Sequence, residues 1–211
     1  HQVDHQEMNT VVGNFDWVVA CYTETSQGLK IPIESLDTLA RRLGSKLMLD
    51  ATASIGLEEN HDLADVIAFS SCKGLFGLSG ASFISYHDSH TVDVDSFYLK
   101  LETHINKLMT GPYHAICSLL DVLPRHDDFR IAVINNKKQF LKRYSKNLLR
   151  TLRFEPQLCT KVDCTIQSND PRAILYEPRG AMGGSVICHL GEVHLGSEAR
   201  GDILNYLQVV R

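Results

Sequence analysis

The sequence predicts an α/β fold, a mostly parallel sheet flanked by helices with a small α+β lobe at the C-terminal end. Three observations predict it. Short apolar runs rich in β-branched residues alternate with loops and a helical pattern in the first half. A long helical pattern follows. After it come short strand signals and a last helical one.

Trp17 to Cys21 is a continuous apolar run of the kind a strand buried on both faces shows. Pro32, then Ile33, Leu36, Leu39, Ala40 and Leu43 at steps of three and four, then Gly44, describe a helix with proline near its start and glycine at its end. Lys46 to Leu49, Val66 to Phe69 and Ala81 to Ser85 add three strands, separated by loops containing Gly, Ser and Asp. Strands alternating with a helix imply parallel pairing through right-handed crossovers.

Beyond His87, helical spacing runs from Leu99 to Met109 and from Tyr113 to Leu123. A longer helix over Arg130 to Leu152 places Ile131, Ile134, Leu141, Tyr144, Leu148 and Leu152 on one face and Lys137, Lys138, Lys142 and Lys146 on another. Strand-like runs at Ala173 to Tyr176 and Val186 to His189 precede a terminal helix from Glu198 to Val210. The organisation expected is a first domain over 1–128, a connecting helix over 129–153 and a small domain over 154–211.

Composition narrows the functional classes. A chain of 211 residues with 44% hydrophobic content can bury a sizeable core. A net charge of −4 and scattered basic residues leave no stripe for a nucleic-acid backbone. No apolar run reaches the roughly 20 residues of a membrane span, and the opening lacks the order of a signal peptide, so a cytoplasmic protein is expected. Six irregularly spaced cysteines without a C-x-x-C pair read as reduced thiols. The first residue is His, and a strand signal comes almost at once, which suggests a cut or processed chain.

Polar residues concentrate at three strand ends: Tyr22 to Ser26, Asp50 to Ser54 and Ser70 to Gly74. In open parallel sheets, ligands bind beyond the carboxyl ends of the strands. An isolated aspartate there is ordinarily a cap or a loop salt bridge, and an isolated lysine is ordinarily solvated. Together, Asp50 and Lys73 suit a Schiff-base cofactor enzyme. The amine must lose its proton to attack a carbonyl, which partial burial promotes, and the carboxylate must keep a pyridine nitrogen protonated so that the ring accepts electrons.

The residues also resemble a known family. Thr-Glu-Thr-Ser-Gln-Gly at 23–28, Pro-Ile-Glu-Ser-Leu at 32–36, Leu-Met-Leu-Asp-Ala-Thr-Ala-Ser-Ile-Gly at 47–56 and Ser-Ser-Cys-Lys-Gly followed by Leu-Phe-Gly-Leu-Ser-Gly-Ala-Ser-Phe at 70–83 look like the core of class V aminotransferases, fold-type-I enzymes dependent on pyridoxal 5'-phosphate. The pattern is similar to the 2-aminoethylphosphonate:pyruvate and alanine:glyoxylate branch. It resumes at Thr110 to His114 and at Leu190 to Val193.

The resemblance implies Lys73 as the Schiff-base lysine and proton shuttle, and Asp50 as partner of the pyridinium nitrogen. Thr25 would contact the cofactor, Thr52 would pack on its ring, and Cys72 would stand near its phosphate where the family often carries Gln or Asn. Thr110 would reach the phosphate of the neighbouring subunit, which makes the working unit a homodimer. The substrates implied are a small amino donor and a 2-oxo acid.

Three departures are visible. The family's phosphate-binding glycine turn and ring-stacking aromatic lie upstream of the segment present here. Val186 falls where the family holds its carboxylate-binding arginine, and neither Arg179 nor Arg200 matches that position. Other readings are a non-catalytic dimeric relative, a lyase, or a cysteine desulfurase, for which Cys159 and Cys188 have no supporting context. His87 with His90, or His189 with His194, would need a third ligand to hold a metal. Tyr113 and His114 read as the first turn of a packed helix.

Overall fold

The computed structural model describes residues 5–87, 95–107, 111–170, 183–190, 193 and 204–210. A four-stranded sheet organises the first half. Strand β1 (Trp17–Cys21) pairs parallel with β4 (Lys46–Asp50), β4 pairs parallel with β5 (Val66–Ser70), and β5 pairs antiparallel with β6 (Ser82–Tyr86). The sheet is thus mostly parallel, as expected, with β6 as its one antiparallel strand. The turns between Ser70 and Ser82 return the chain directly along its neighbour, and only antiparallel strands permit so short a connection.

Between β1 and β4 the chain forms a two-residue hairpin, β2 (Thr23–Glu24) and β3 (Leu29–Lys30), then helix α1 (Ile33–Leu43). Helix α1 begins and ends as the sequence predicts. Pro32 precedes its first residue, and Gly44 at φ 65° closes it with Gly44 N donating to Arg41 O and Ser45 N to Ala40 O. Its apolar face, Ile33, Leu36, Leu39 and Ala40, is buried, and Ile33, Leu36 and Ala40 cluster with Leu47, Leu49 and Tyr22.

Register places Val18, Leu47, Ala20, Leu49 and Ile67 on this covered face. Val19, Met48, Val66 and Tyr86 align on the other. Val19 is 70% exposed and Tyr86 45%, so the expectation that the β1 run is buried on both faces does not hold among the described residues. They supply a covering layer for one face only.

Helices α2 (Leu101–Asn106) and α3 (Tyr113–Val122) follow, then α4 (His126–Tyr144). The long helix starts and stops earlier than predicted, with 3-10 turns at Ser145–Asn147 and Leu152–Phe154 replacing its last part. Its faces also differ from expectation. Ala132, Val133, Lys137, Phe140 and Tyr144 are buried, while Ile131 is 55% exposed. Lys137 can be inside because its Nζ donates to the Pro156 and Glu155 carbonyls, at 2.7 and 3.3 Å.

The C-terminal part contains two antiparallel pairs: β7 (Cys159–Val162) with β9 (Ser185–Cys188), and β8 (Thr165–Ser168) with β10 (Leu207–Val210). The predicted terminal helix is corrected. Residues 204–206 form a 3-10 turn and 207–210 a strand, because Val209 pairs with Ile166 in the ladder to β8. The strand predicted at Ala173 to Tyr176, and the helix over 198–203, lie outside the described residues. No helix among the described residues is long and apolar enough to cross a membrane.

Candidate active site

The three polar strand ends converge as the sheet topology requires. Cys21 at the end of β1 sits opposite Asp50 at the end of β4, and Asp50 opposite Ala68 of β5. Two residues beyond β5, the chain turns at Cys72 and Lys73. Asp50 and Lys73 share an electrostatic neighbourhood: burial, and after it the Asp50 and Glu24 carboxylates, together push the Cys21 thiol up to about 11, against the opposing pull of the Thr23 carbonyl and the Lys73 ammonium.

Lys73 has φ 54°, in the left-handed region that a side chain with a Cβ rarely adopts. Such a conformation costs on the order of 1–3 kcal/mol and persists only where neighbours fix it. Here they do. Ser71 Oγ donates to Leu78 O at 2.5 Å and accepts from Ala81 N at 3.2 Å, while Gly77 N donates to Ser71 O and Phe76 N to Lys73 O. Gly74 lies against Ile55 so closely that a Cβ would collide with the Ile55 carbonyl oxygen. His126, at the start of α4, holds the Gly74 carbonyl at 2.9 Å.

Asp50 accepts the Thr52 N–H on Oδ1 at 2.9 Å, an Asx turn that orients the carboxylate and opens the tight turns through Glu59. Ser54 within these turns contacts His61 Nε2 at 3.0 Å. Thr25 lies in the hairpin loop. Its carbonyl accepts Gly28 N at 3.2 Å and the Cys159 thiol at 3.8 Å, and the loop is braced by Glu24 Oε1 accepting both Ser26 N and Ser26 Oγ. Cys159 also feels the Lys73 charge, which ties the Thr25 loop, Lys73 and β7 together. Cys72 Sγ meets Ser70 Oγ at 3.1 Å.

Thus Lys73, Asp50, Thr52, Thr25 and Cys72 occupy adjacent turns at one end of the sheet. Thr110 lies outside the described residues. Lys73 and Asp50 are both exposed, so the partial burial expected for the lysine is not supplied by the described residues. Sequence reasoning missed His126, Cys21 and His61. His126 is contributed from 52 positions beyond Gly74, and no local pattern announces it.

Among the described residues no three His, Cys, Asp or Glu side chains are grouped so as to hold a metal ion. His189 is buried against Thr160 Oγ1 at 3.0 Å and, chiefly by burial, falls to about 3, so its ring is neutral. His90 and His194 lie outside the described residues. A cavity of about 870 Å³ opens elsewhere, between α1, the N-terminal segment and residues 149–154, and none of the predicted site residues lines it. Its Arg42 is engaged by the Val11 and Met8 carbonyls.

The sheet with α1 on one face and the convergent strand-end turns is an architecture shared with solved aminotransferases and a cysteine desulfurase. Pyridoxamine-pyruvate aminotransferase from Mesorhizobium loti shares it at a TM-score of 0.67 and 16% identity, over 96% of this chain and 64% of that one. Alanine–glyoxylate aminotransferase from Nostoc sp. aligns at 0.60 and 20%, over 71% of this chain and 46% of that one. A cysteine desulfurase from Thermococcus onnurineus aligns at 0.56 and 18%, over 76% and 47%. The chain thus spans about half to two thirds of the length of these structures. No family model matches the chain, and no curated protein matches it. At such identities the likeness shows the fold.

Proposed function

We propose that this chain is the lysine-bearing part of a pyridoxal-phosphate-dependent transaminase of the class V type, working on a small amino donor such as 2-aminoethylphosphonate or alanine and on a 2-oxo acid. The observation that carries the reading is the left-handed backbone of Lys73, held by a dense hydrogen-bonded turn one strand away from Asp50. Strain fixed at a strand-end lysine supports a functional demand on where its Nζ points.

The residues fit the aldehyde and ring-nitrogen ends of the cofactor: a lysine amine and a carboxylate lie on neighbouring strand ends, with one carboxylate oxygen already anchored by Thr52. At the phosphate end the described turn offers Ser70 and Cys72. When bound, the cofactor supplies an electron sink for the carbanion formed at the substrate carbon.

In this reading Lys73 Nζ would hold the cofactor and would be the group that moves a proton at the substrate carbon. The Asp50 carboxylate, anchored through Oδ1 by the Thr52 N–H, would hold the ring nitrogen in its charged form. Thr52 would pack on the ring, Thr25 and Cys72 would bound the pocket, and Thr110 would serve the partner subunit of a homodimer. The exposure of Lys73 and Asp50 favours a second reading, a non-catalytic dimeric relative.

Adding pyridoxal phosphate and recording the visible spectrum, then reducing with borohydride and mapping peptides, separates them. The transaminase reading expects a shifted band and label on Lys73, both lost in Lys73→Ala with the fold intact. Label elsewhere, or none, overturns it. Asp50→Asn should keep the label and slow proton abstraction by about 100-fold or more; an unchanged rate removes Asp50 from its role.

A further inference from the structure

Strands β7 and β9 set Cys159 directly opposite Cys188. One step along the ladder, His189 N donates to Leu158 O at 2.8 Å. In an antiparallel ladder, hydrogen-bonded and non-hydrogen-bonded pairs alternate, so the 159/188 pair is of the non-hydrogen-bonded kind. Its Cα atoms are then about 4.5 Å apart, and its side chains share one face at their closest approach. A disulfide accepts Cα separations of about 4.4–6.8 Å, so closure needs only a small contraction of the Cβ atoms.

The two thiols differ in access: Cys188 is exposed and Cys159 is buried. Burial, and after it the Cys188 thiol, drives Cys159 up to about 12, which agrees with their pairing across the ladder and keeps Cys159 protonated and slow to react alone. Among the described residues no other two cysteines are ladder partners. Cys21 and Cys72 lie at strand ends, bonded to Thr23 O and Ser70 Oγ, and Cys117 lies on α3.

We propose that Cys159 and Cys188 are a modification site, a cross-strand thiol pair closed by a low-molecular-weight disulfide such as oxidised glutathione. The Cys188 thiolate attacks one sulfur of the oxidant and expels one glutathione thiolate. The Cys159 thiol then gives up its proton, attacks the Cys188 sulfur and expels the second glutathione. Two protein thiols are oxidised, and one oxidant disulfide is reduced to two thiols.

Closure takes the Cys159 thiol away from the Thr25 carbonyl, its present acceptor, and so reaches the hairpin loop beside Lys73. The chemistry goes beyond the cofactor reading and stands without it.

The test uses the full chain carrying Cys117→Ser, which removes an exposed competitor, equilibrated in glutathione buffers of increasing oxidation, then acid-quenched, alkylated and mapped. The expected result is a species lacking two hydrogens, reversed by dithiothreitol, with the peptides of Cys159 and Cys188 linked. Adding Cys188→Ser should abolish the link, and because Cys188 is exposed that variant keeps the fold. A stable glutathione adduct on Cys188 with Cys159 still alkylatable, or a link joining other cysteines, would overturn the proposal.

Discussion

Lys73 and Lys137 occupy opposite environments in this chain. Lys73 is exposed and its backbone is strained, whereas Lys137 is 6% exposed in the regular interior of α4. The first is held in place by what its turn does; the second holds other things in place. Lys137 Nζ satisfies two carbonyls, and its charge opposes the burial that pushes the Glu155 carboxyl up to about 7. Neither Glu155 carboxylate oxygen has a hydrogen-bond partner among the described residues. A buried lysine of this kind is a structural element, and an exposed strained one is a candidate for chemistry.

The sharpest way to break the comparison is to remove the Lys137 cation. Lys137→Met keeps much of the volume but leaves two buried carbonyls unsatisfied and Glu155 without its countercharge, which should cost about 3–5 kcal/mol in urea unfolding. Adding Glu155→Gln should recover part of that loss, because the two residues are coupled. If Lys137→Met costs no more than an exposed substitution, Lys137 has no structural role.

Much of this was legible in the residues, and the exceptions share a cause. Helix α1 and strands β1, β4 and β5 follow from apolar spacing and from Pro32 and Gly44, because local periodicity fixes them. Asp50 and Lys73 fall at strand ends for the same reason. The spacing groups Lys137 with the other lysines of its helix and gives no sign of its burial, because its acceptors, the carbonyls of Glu155 and Pro156, come from beyond the helix. Residues 207–210 carry a helical pattern yet form a strand, because pairing with Ile166 overrides such a pattern in a short segment, and the last part of the predicted long helix gives way where Leu148 bridges to Val162. The β1 run looked doubly buried, since hydrophobicity reports a need for cover but not which residues provide it.

The Glu155 carboxyl makes a second, smaller effect readable through pH. Its folded value lies above its unfolded one, so between about 4.5 and about 7 the folded protein binds the extra proton, and stability falls as pH rises through that window. His189 acts in the opposite sense. Its folded value of about 3 lies below the ordinary imidazole value of 6.5, so stability falls as pH drops below 6.5. The two oppose each other where their windows overlap. Glu155→Gln removes one limb, and the variant should gain stability steadily up to about pH 6.5 with a slope of at most about 1.4 kcal/mol per pH unit. A profile parallel to that of the parent chain would show that Glu155 does not titrate in this range.

The smallest effect addresses Lys73 itself. At φ 54° a glycine meets no penalty from a Cβ, so Lys73→Gly should raise unfolding stability by about 1 kcal/mol, net of the greater freedom glycine has when unfolded. Lys137→Gly, in the helix interior, should do the reverse and more strongly. A gain at Lys73 accompanied by loss of borohydride-trapped label would mean that the chain keeps a destabilising backbone there for the sake of the amine. A loss of stability would mean that the lysine side chain contributes packing or charge to its turn that outweighs the strain, and Lys73 would then belong with Lys137.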